Sequence, residues 1–407
     1  MSLLQSYDTS TVVDFTSTDE QPRRSSRVDE LESQIAQLME RMRIAVIYGG
    51  DKTAEGAVIN QTYNPRSWKS YQTVAEDIAG ALRRIGFRHV HLMSEDMQLG
   101  NRLAESGIHM AWLNTGGVQG LNPMAHAAAM LEMCGIPYVG HDPLSAGMLD
   151  NKHVFKRELQ ALDIPNAPFV LCHYGSGPFR PEADIRFKRI FGDYAGPFVV
   201  KPVSGRASLH VHLVGRTSDL SDAVAEVQRA TDNHVLVERF LPGREFCIAA
   251  CGPVTAHGGK LRRHHEPFVF AAVERILAPN EMIFTSMDVR PITLDRVRRL
   301  DPVSDACHLS TLEKLARKVY RELNLESLIR LDVRIDSDGV MEILECNPKP
   351  DLKFPTPERL SLVCANLAAH GMGYDDLILS LIADRIDLLL SQRRRAVTHL
   401  TALLDRP

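Results

Sequence analysis

The chain has 407 residues, 44% of them hydrophobic and 24% charged, with a formal net charge of −4 and a sequence pI of about 6.5. This is an ordinary globular mixture, long enough for two or three packed units around one site. It has no basic excess for a nucleic-acid or membrane surface, no apolar run of transmembrane length, and no basic-then-apolar leader. The seven cysteines include no C-x-x-C pair and are odd in number. A disulfide framework or zinc site is therefore not expected, and a reducing cytoplasm is.

Residues 1 to about 28 are rich in Ser, Thr, Asp and Gln, which predicts a mobile tail. Residues 29–42 carry Leu31, Ile35 and Leu38 at helical spacing and read as a surface helix leading into the first strand. The apolar run 43–48 ends in Gly49-Gly50, as a buried parallel strand followed by a tight loop does. A helix over 71–85, strands at 89–93 and 110–113, and a helix at 126–134 continue the alternation. They predict a parallel α/β domain over 43–142. A helix at 151–162, strands at 165–172, 197–201 and 210–214, and a helix at 221–231 predict a small α+β unit over 143–232. The stretch 175–184 reads as a loop. Strands at 234–239, 246–251, 329–335 and 341–345, with helices at 310–323 and 374–390, predict a second α+β unit over 233–390. Residues 391–407 form a C-terminal extension, and Arg393-Arg394-Arg395 reads as a solvated helix face or turn.

The sharpest local feature is a hairpin pattern, two strands flanking Asp336-Ser337-Asp338-Gly339. In the first strand Arg330, Asp332 and Arg334 point one way and Leu331, Val333 and Ile335 the other. A two- or four-residue turn places Arg330 opposite Glu345, with Asp332, Glu345 and Asn347 on one face; a three-residue turn breaks that arrangement. Two readings stand at this point. The face is either a charged solvent surface or a set of hard oxygen donors of the kind Mg²⁺ prefers.

Arg330-x-Asp332 followed by Leu344-Glu345-x-Asn347 resembles the metal-binding end of ATP-grasp enzymes, and of D-alanine–D-alanine ligases in particular. Four more segments resemble that family in the same order. They are Leu149 to Lys152; Phe198 to Pro202 with the small-residue loop Ser204 to Ser208; Val235 to Phe246; and residues 273–284. The resemblance spans about residues 43–390. It implies an ATP-grasp fold, α/β and α+β, preceded by an N-terminal parallel-sheet domain. It implies two Mg²⁺ ions, with Mn²⁺ as an alternative, on Asp332, Glu345 and Asn347. Lys152 and Lys201 would contact ATP. Adenine would lie against Glu238, Arg239, Phe240 and Leu241, and Glu245 would bind the ribose. Arg330, Arg275 and Ser208 form the implied catalytic set, Arg330 stabilising a tetrahedral intermediate. The segment 273–284 corresponds to the family's mobile closing loop, with Ile276 in place of a tyrosine, and His210 stands where a glycine is common.

The implied reaction joins a small-molecule carboxylate to an amine through an acyl phosphate. Glu55 takes the place of the acidic residue that binds the first substrate's ammonium, and Asp351 replaces a glycine on the acceptor side. The family's His-Gly motif is replaced by Asn114-Thr115-Gly116-Gly117, and residues 56–70, with Tyr63, Arg66 and Trp68, exceed the family pattern. These departures cluster where substrates bind. They point to amino-acid-type substrates other than D-alanine, with Lys349, Asp351 and Lys353 suggesting a polar or charged acceptor. D-alanine–D-alanine ligation in cell-wall synthesis, and a non-catalytic ATP-binding module, are the alternatives. A carrier-bound substrate remains open, and the family implies a homodimer.

Overall fold

The computed structural model describes residues 20–54, 68–120, 122–205, 208–278, 281–283, 293–356, 359–393 and 397–404. Helix α1 (Glu20–Arg41) starts inside the segment expected to be a tail. Its apolar stripe, Leu31, Ile35 and Leu38, is buried in the main core, so α1 is a packed element of the body.

Strand β1 (Arg43–Gly49) lies between β2 (His89–Glu95) and β3 (Met110–Asn114), and β4 (Tyr138–Val139) completes a four-stranded parallel sheet. The run Ile44–Ile47 is apolar throughout because both faces are covered. Ile44 and Val46 pack with α2 (Trp68–Ile85) and α1. Ala45 and Ile47 pack with α3 (Leu99–Glu105) and α4 (His126–Met133).

Two further helices link this sheet to the rest. Asp142 caps α5 (Pro143–Asp150), accepting from the Leu144 and Ser145 amides. Asn151 caps α6 (Lys152–Ala161) through the His153 and Val154 amides, which fixes Lys152 as the first helical residue. The second sheet is antiparallel and has the order β5 (Phe169–Cys172), β8 (Val235–Arg239), β6 (Phe198–Pro202), β7 (His212–Val214). Helices α7 (Ile185–Phe191) and α8 (Leu220–Thr231) cover one face of it, packing on Phe198, Val200, Val235 and Val237. The predicted loop at 175–184 stops where α7 begins.

The third sheet is built on β9 (Glu245–Cys251), paired with β13 (Val273–Arg275) and β15 (Ile329–Ile335). Strand β14 (Val297–Arg299) and β16 (Met341–Asn347) form its edges, and the short β12 (Phe268–Val269) pairs with the far end of β9. Strands β10 (Val254–His257) and β11 (Lys260–Arg263) form a separate hairpin. Helix α9 (Ala306–Glu322) packs on the Phe246, Ile248, Leu331 and Val333 face. Helix α10 (Tyr374–Gln392), buried over much of its circumference, joins the parallel sheet to the β10–β11 hairpin, and α11 (Thr398–Leu404) closes against α1. No helix among the described residues is long and apolar enough to cross a membrane.

Because Leu38 is fully buried where α1 meets the core, Leu38→Ala should cost about 2–5 kcal/mol. Urea denaturation would register this as a lowered midpoint. A surface helix would leave the midpoint unchanged.

Candidate nucleotide and metal site

The hairpin β15–β16 differs from the simple registers its sequence suggests. Its connection, residues 336–340, has five residues, and below it Val333 pairs with Ile343. An odd connection alone would turn Glu345 towards the core. A bulge between Asp332 and Val333 adds one residue on β16 and restores the face. Ile343 and Cys346 both lie in the α9 core, while Leu344 and Glu345 both stay partly exposed. As a result Asp332 faces Glu345 and Arg330 faces Asn347, which corrects the expected Arg330–Glu345 pairing. The four polar residues still share one face.

That face continues across the sheet as cross-strand rows. Arg275, Glu245 and Arg334 are direct neighbours on β13, β9 and β15. The Arg275 guanidinium lies 2.9 Å from Glu245 and 3.3 Å from Asp332, and Arg334 lies 3.6 Å from Glu245. In the next row Cys247 faces Asp332 and donates to it at 3.3 Å. Arg330 donates to both Asp332 oxygens, at 2.7 and 2.9 Å. Burial opposes the charge on Arg330, but Asp332, Cys247 and Glu345 outweigh it and raise its pKa further. Arg275, expected in a mobile loop, ends a strand held on both sides by β9 and β14.

The second sheet supplies the opposite wall. Val199 and Lys201 on β6, with Leu236 and Glu238 on β8, form its uncovered face. Lys201 Nζ lies 2.9 Å from Glu238 Oε2, and Lys152 Nζ lies 3.1 Å from Glu345. The Lys152 amide donates to the Val203 carbonyl at 2.7 Å, which ties the start of α6 to the end of β6. Burial raises the Glu345 pKa, but Lys152, Lys201 and Arg330 overcome this and hold it down at about 2. Across the charged pairs of this layer, six cations (Lys152, Lys156, Lys201, Arg275, Arg330, Arg334) meet four carboxylates (Glu238, Glu245, Asp332, Glu345). The surplus of two positive charges suits a polyanionic ligand.

A cavity opens between the two sheets. Lys152, Lys201, Ser208, Glu238, Arg239, Phe240, Leu241, Glu245, Arg275, Asp332 and Glu345 all line it, with Leu344 and Val199 as apolar surfaces. Arg334 stacks on the Phe240 ring at 4.9 Å. An adjoining cavity shares Lys152, Ser208, Arg275, Asp332 and Glu345 and adds Arg330, Asn347, Lys349, Asp351 and Tyr71. Asp351 is paired there with Lys353 at 2.9 Å. Glu55, Tyr63 and Arg66 lie outside the described residues. Ser208 and His210 both adopt left-handed backbone, φ 56° and 57°, so the loop keeps a glycine-like turn at His210 despite the side chain.

The oxygens of Asp332, Glu345 and Asn347 are of the type a hard divalent cation takes, and they fit such an ion by chemistry and by shared face. No cluster of three His, Cys, Asp or Glu side chains suited to a metal occurs among the described residues; the donors on this face are two carboxylates and the amide of Asn347.

Sequence reasoning missed Lys156, Arg334 and the Tyr71–Asn114–Lys349 contact as site features. Lys156 stands one helical turn from Lys152, and Arg334 alternates with Asp332, so both carried a periodic signal. Lys349 donates to Asn114 at 3.3 Å and lies 4.9 Å over the Tyr71 ring, contacts that no local pattern announces. At the carboxyl edge of the parallel sheet the Thr115 hydroxyl donates to the buried Glu95, whose pKa burial raises to about 7.

A folded-state pKa above the unfolded value makes Glu95 cost stability as pH rises from about 4.5 through 7. Glu95→Gln should therefore be more stable than the parent at pH 8, by on the order of 2 kcal/mol, with the gap closing towards about pH 4.5. Denaturation curves at the two pH values would test this, and a gap independent of pH would contradict it.

Residues 159–383, more than half of the chain, match the family model described as D-ala D-ala ligase C-terminus. An uncharacterized protein, y4sG of Sinorhizobium fredii, is 27% identical over 351 residues, 83% of this chain and 95% of that one. The D-alanine–D-alanine ligase of Clostridium beijerinckii is 26% identical over 264 residues, 64% of this chain and 76% of its own. Among solved structures, D-alanine–D-alanine ligase from Bacillus anthracis complexed with ATP superposes with a TM-score of 0.61 at 19% identity. The match covers 86% of this chain and 99% of that chain, and the shared fold is ATP-grasp.

Proposed function

Because this chain belongs to the D-ala D-ala ligase C-terminus family, we propose that it is an ATP-dependent ligase that joins a carboxylate to an amine, acting on amino-acid-type substrates other than D-alanine. The observation that carries the reading is the convergence of Lys152, Lys201, Arg275 and Arg330 with Asp332, Glu345 and Asn347 on two adjoining cavities. The first cavity suits a nucleotide, with apolar walls at Val199, Phe240 and Leu344 and cations towards its acidic end.

Lys152 and Lys201 bind phosphate oxygens and orient the triphosphate. A divalent metal held by Asp332, Glu345 and Asn347 supplies further charge neutralisation there when bound. The substrate carboxylate takes the γ-phosphoryl group, giving an acyl phosphate and ADP. The amine then attacks the acyl carbon, phosphate leaves with the C–O bond electrons, the nitrogen gives up one proton to the departing phosphate or to solvent, and an amide remains. Arg330, which lines the second cavity beside Asp332, faces the oxyanion of that second step. Arg275, which lines both cavities, helps exclude water from the acyl phosphate.

Two features of the second cavity favour a substrate other than D-alanine. Asp351 brings a carboxylate where the family has a glycine, and Lys349 adds a cation bridged to Asn114 and Tyr71. The relatives named D-alanine–D-alanine ligase favour the other reading.

Asp332→Asn should lower ADP release at least about 100-fold while leaving far-UV circular dichroism unchanged. Full activity in that variant would remove Asp332 from the mechanism. The substrate is tested by incubating the full chain with Mg-ATP and amino acids singly and in pairs, with mass detection. A product equal to two substrates minus water is expected with a pair other than D-alanine with itself. Turnover confined to D-alanine would establish the second reading.

A further inference from the structure

Among the described residues two lysines are buried, Lys201 and Lys156, and only Lys201 lines the nucleotide cavity. Lys156 has no exposed surface. It sits on α6 one turn beyond Lys152, with Phe155 and Leu159 in the core on either side. Its ammonium lies 3.5 Å from Glu238 Oε1 and 5.5 Å from the centre of the Phe169 ring, and it makes no hydrogen bond. Burial pushes its pKa down to about 8, against the pull of Glu238. An apolar side chain of similar length would fill this space without a desolvated charge. The position therefore calls for an account of the charge itself.

Glu238 provides it. The carboxylate is buried and has two cationic neighbours, Lys201 on Oε2 at 2.9 Å and Lys156 on Oε1. Lys201 belongs to the cavity, and an incoming polyphosphate competes for its ammonium. With Lys201 alone as partner, Glu238 would be left as an uncompensated buried carboxylate each time phosphate bound. We infer that Lys156 is a positioning residue, a fixed counter-charge that holds the Glu238 carboxylate in place while Lys201 turns to the phosphates of the nucleotide. The inference rests on the nucleotide reading above.

The charged groups that face Lys156 are Glu238, Lys201 and Glu342. Lys201 titrates above its ordinary range, because burial is outweighed by Glu238 and Glu345, so it keeps its proton over the pH range in which Lys156 loses its own. Binding that draws Lys201 away removes a neighbouring cation and strengthens the hold of Glu238 on the Lys156 proton. ATP affinity should then fall as pH rises above about 8, where Lys156 in the unliganded protein loses its proton.

The test is ATP binding by calorimetry, with KM and kcat for ADP release, on the full chain. Lys156→Met should weaken ATP binding and raise KM at least about tenfold with a much smaller change in kcat. Lys156→Arg should recover most of the loss. In a Glu238→Gln background Lys156→Met should add little, because the partner it serves is gone. Unchanged ATP affinity in folded Lys156→Met, or an equal loss in the Glu238→Gln background, overturns the inference alone. The parent protein gives a test that needs no substitution: ATP affinity flat from about pH 7 to 10 also overturns it. No ATP affinity in the parent overturns the nucleotide reading and this inference together.

Discussion

Charge compensation between two sheets is the constraint on which the rest of the site depends. Glu238, Glu245 and Asp332 are buried and Glu345 is partly so, and a carboxylate in that setting is stable only beside cations that also donate hydrogen bonds. Each has at least one cationic neighbour. The arrangement explains why cations come from four different elements, α6, β6, β13 and β15, when one strand of lysines would supply the same total charge. A single source would leave the far oxygens of the carboxylates unmet. It also explains why the cavity is attractive to a polyanion before any ligand arrives, since the cations outnumber the acids they serve.

The antiparallel geometry converts this demand into sequence pattern only in part. Arg330, Asp332 and Arg334 are legible as one face because a strand alternates, and Lys152 and Lys201 are legible because each follows or opens a recognisable element. The parallel sheet is legible for the same reason, as its apolar runs report burial on both faces. Lys156 carries only its spacing of one helical turn from Lys152, because a lysine in an amphipathic helix is ordinarily solvated and nothing local reveals that Phe169 and Glu238 enclose it. The extent of α1 is hidden by its polar composition, which resembles a tail, when the residues that decide the matter are the few that pack. Arg275 falls in a segment that reads as a moving loop, yet its strand pairs on both sides through partners in β9 and β14 that only the fold brings together.

The substrate side is held differently from the nucleotide side. Its cavity is closed by segments far apart in the chain, with Lys349 reaching Asn114 across 235 positions. Such a contact ties the N-terminal sheet to the exit of the β15–β16 hairpin. A change at either end alters the shape of the same cavity, while the charged layer around Glu238 and Asp332 has its own anchors. The shape of that cavity can therefore change within this fold while the charged layer is kept.

The five-residue connection and the bulge in the last hairpin are two departures of odd length that cancel. The face of β16 is set by parity: drawing one residue out of the connection or out of the bulge into the ladder would exchange Glu345 for a core position, and doing both would restore it. An alignment that slides β16 by a single place would accordingly put core residues where the polar residues of this face belong.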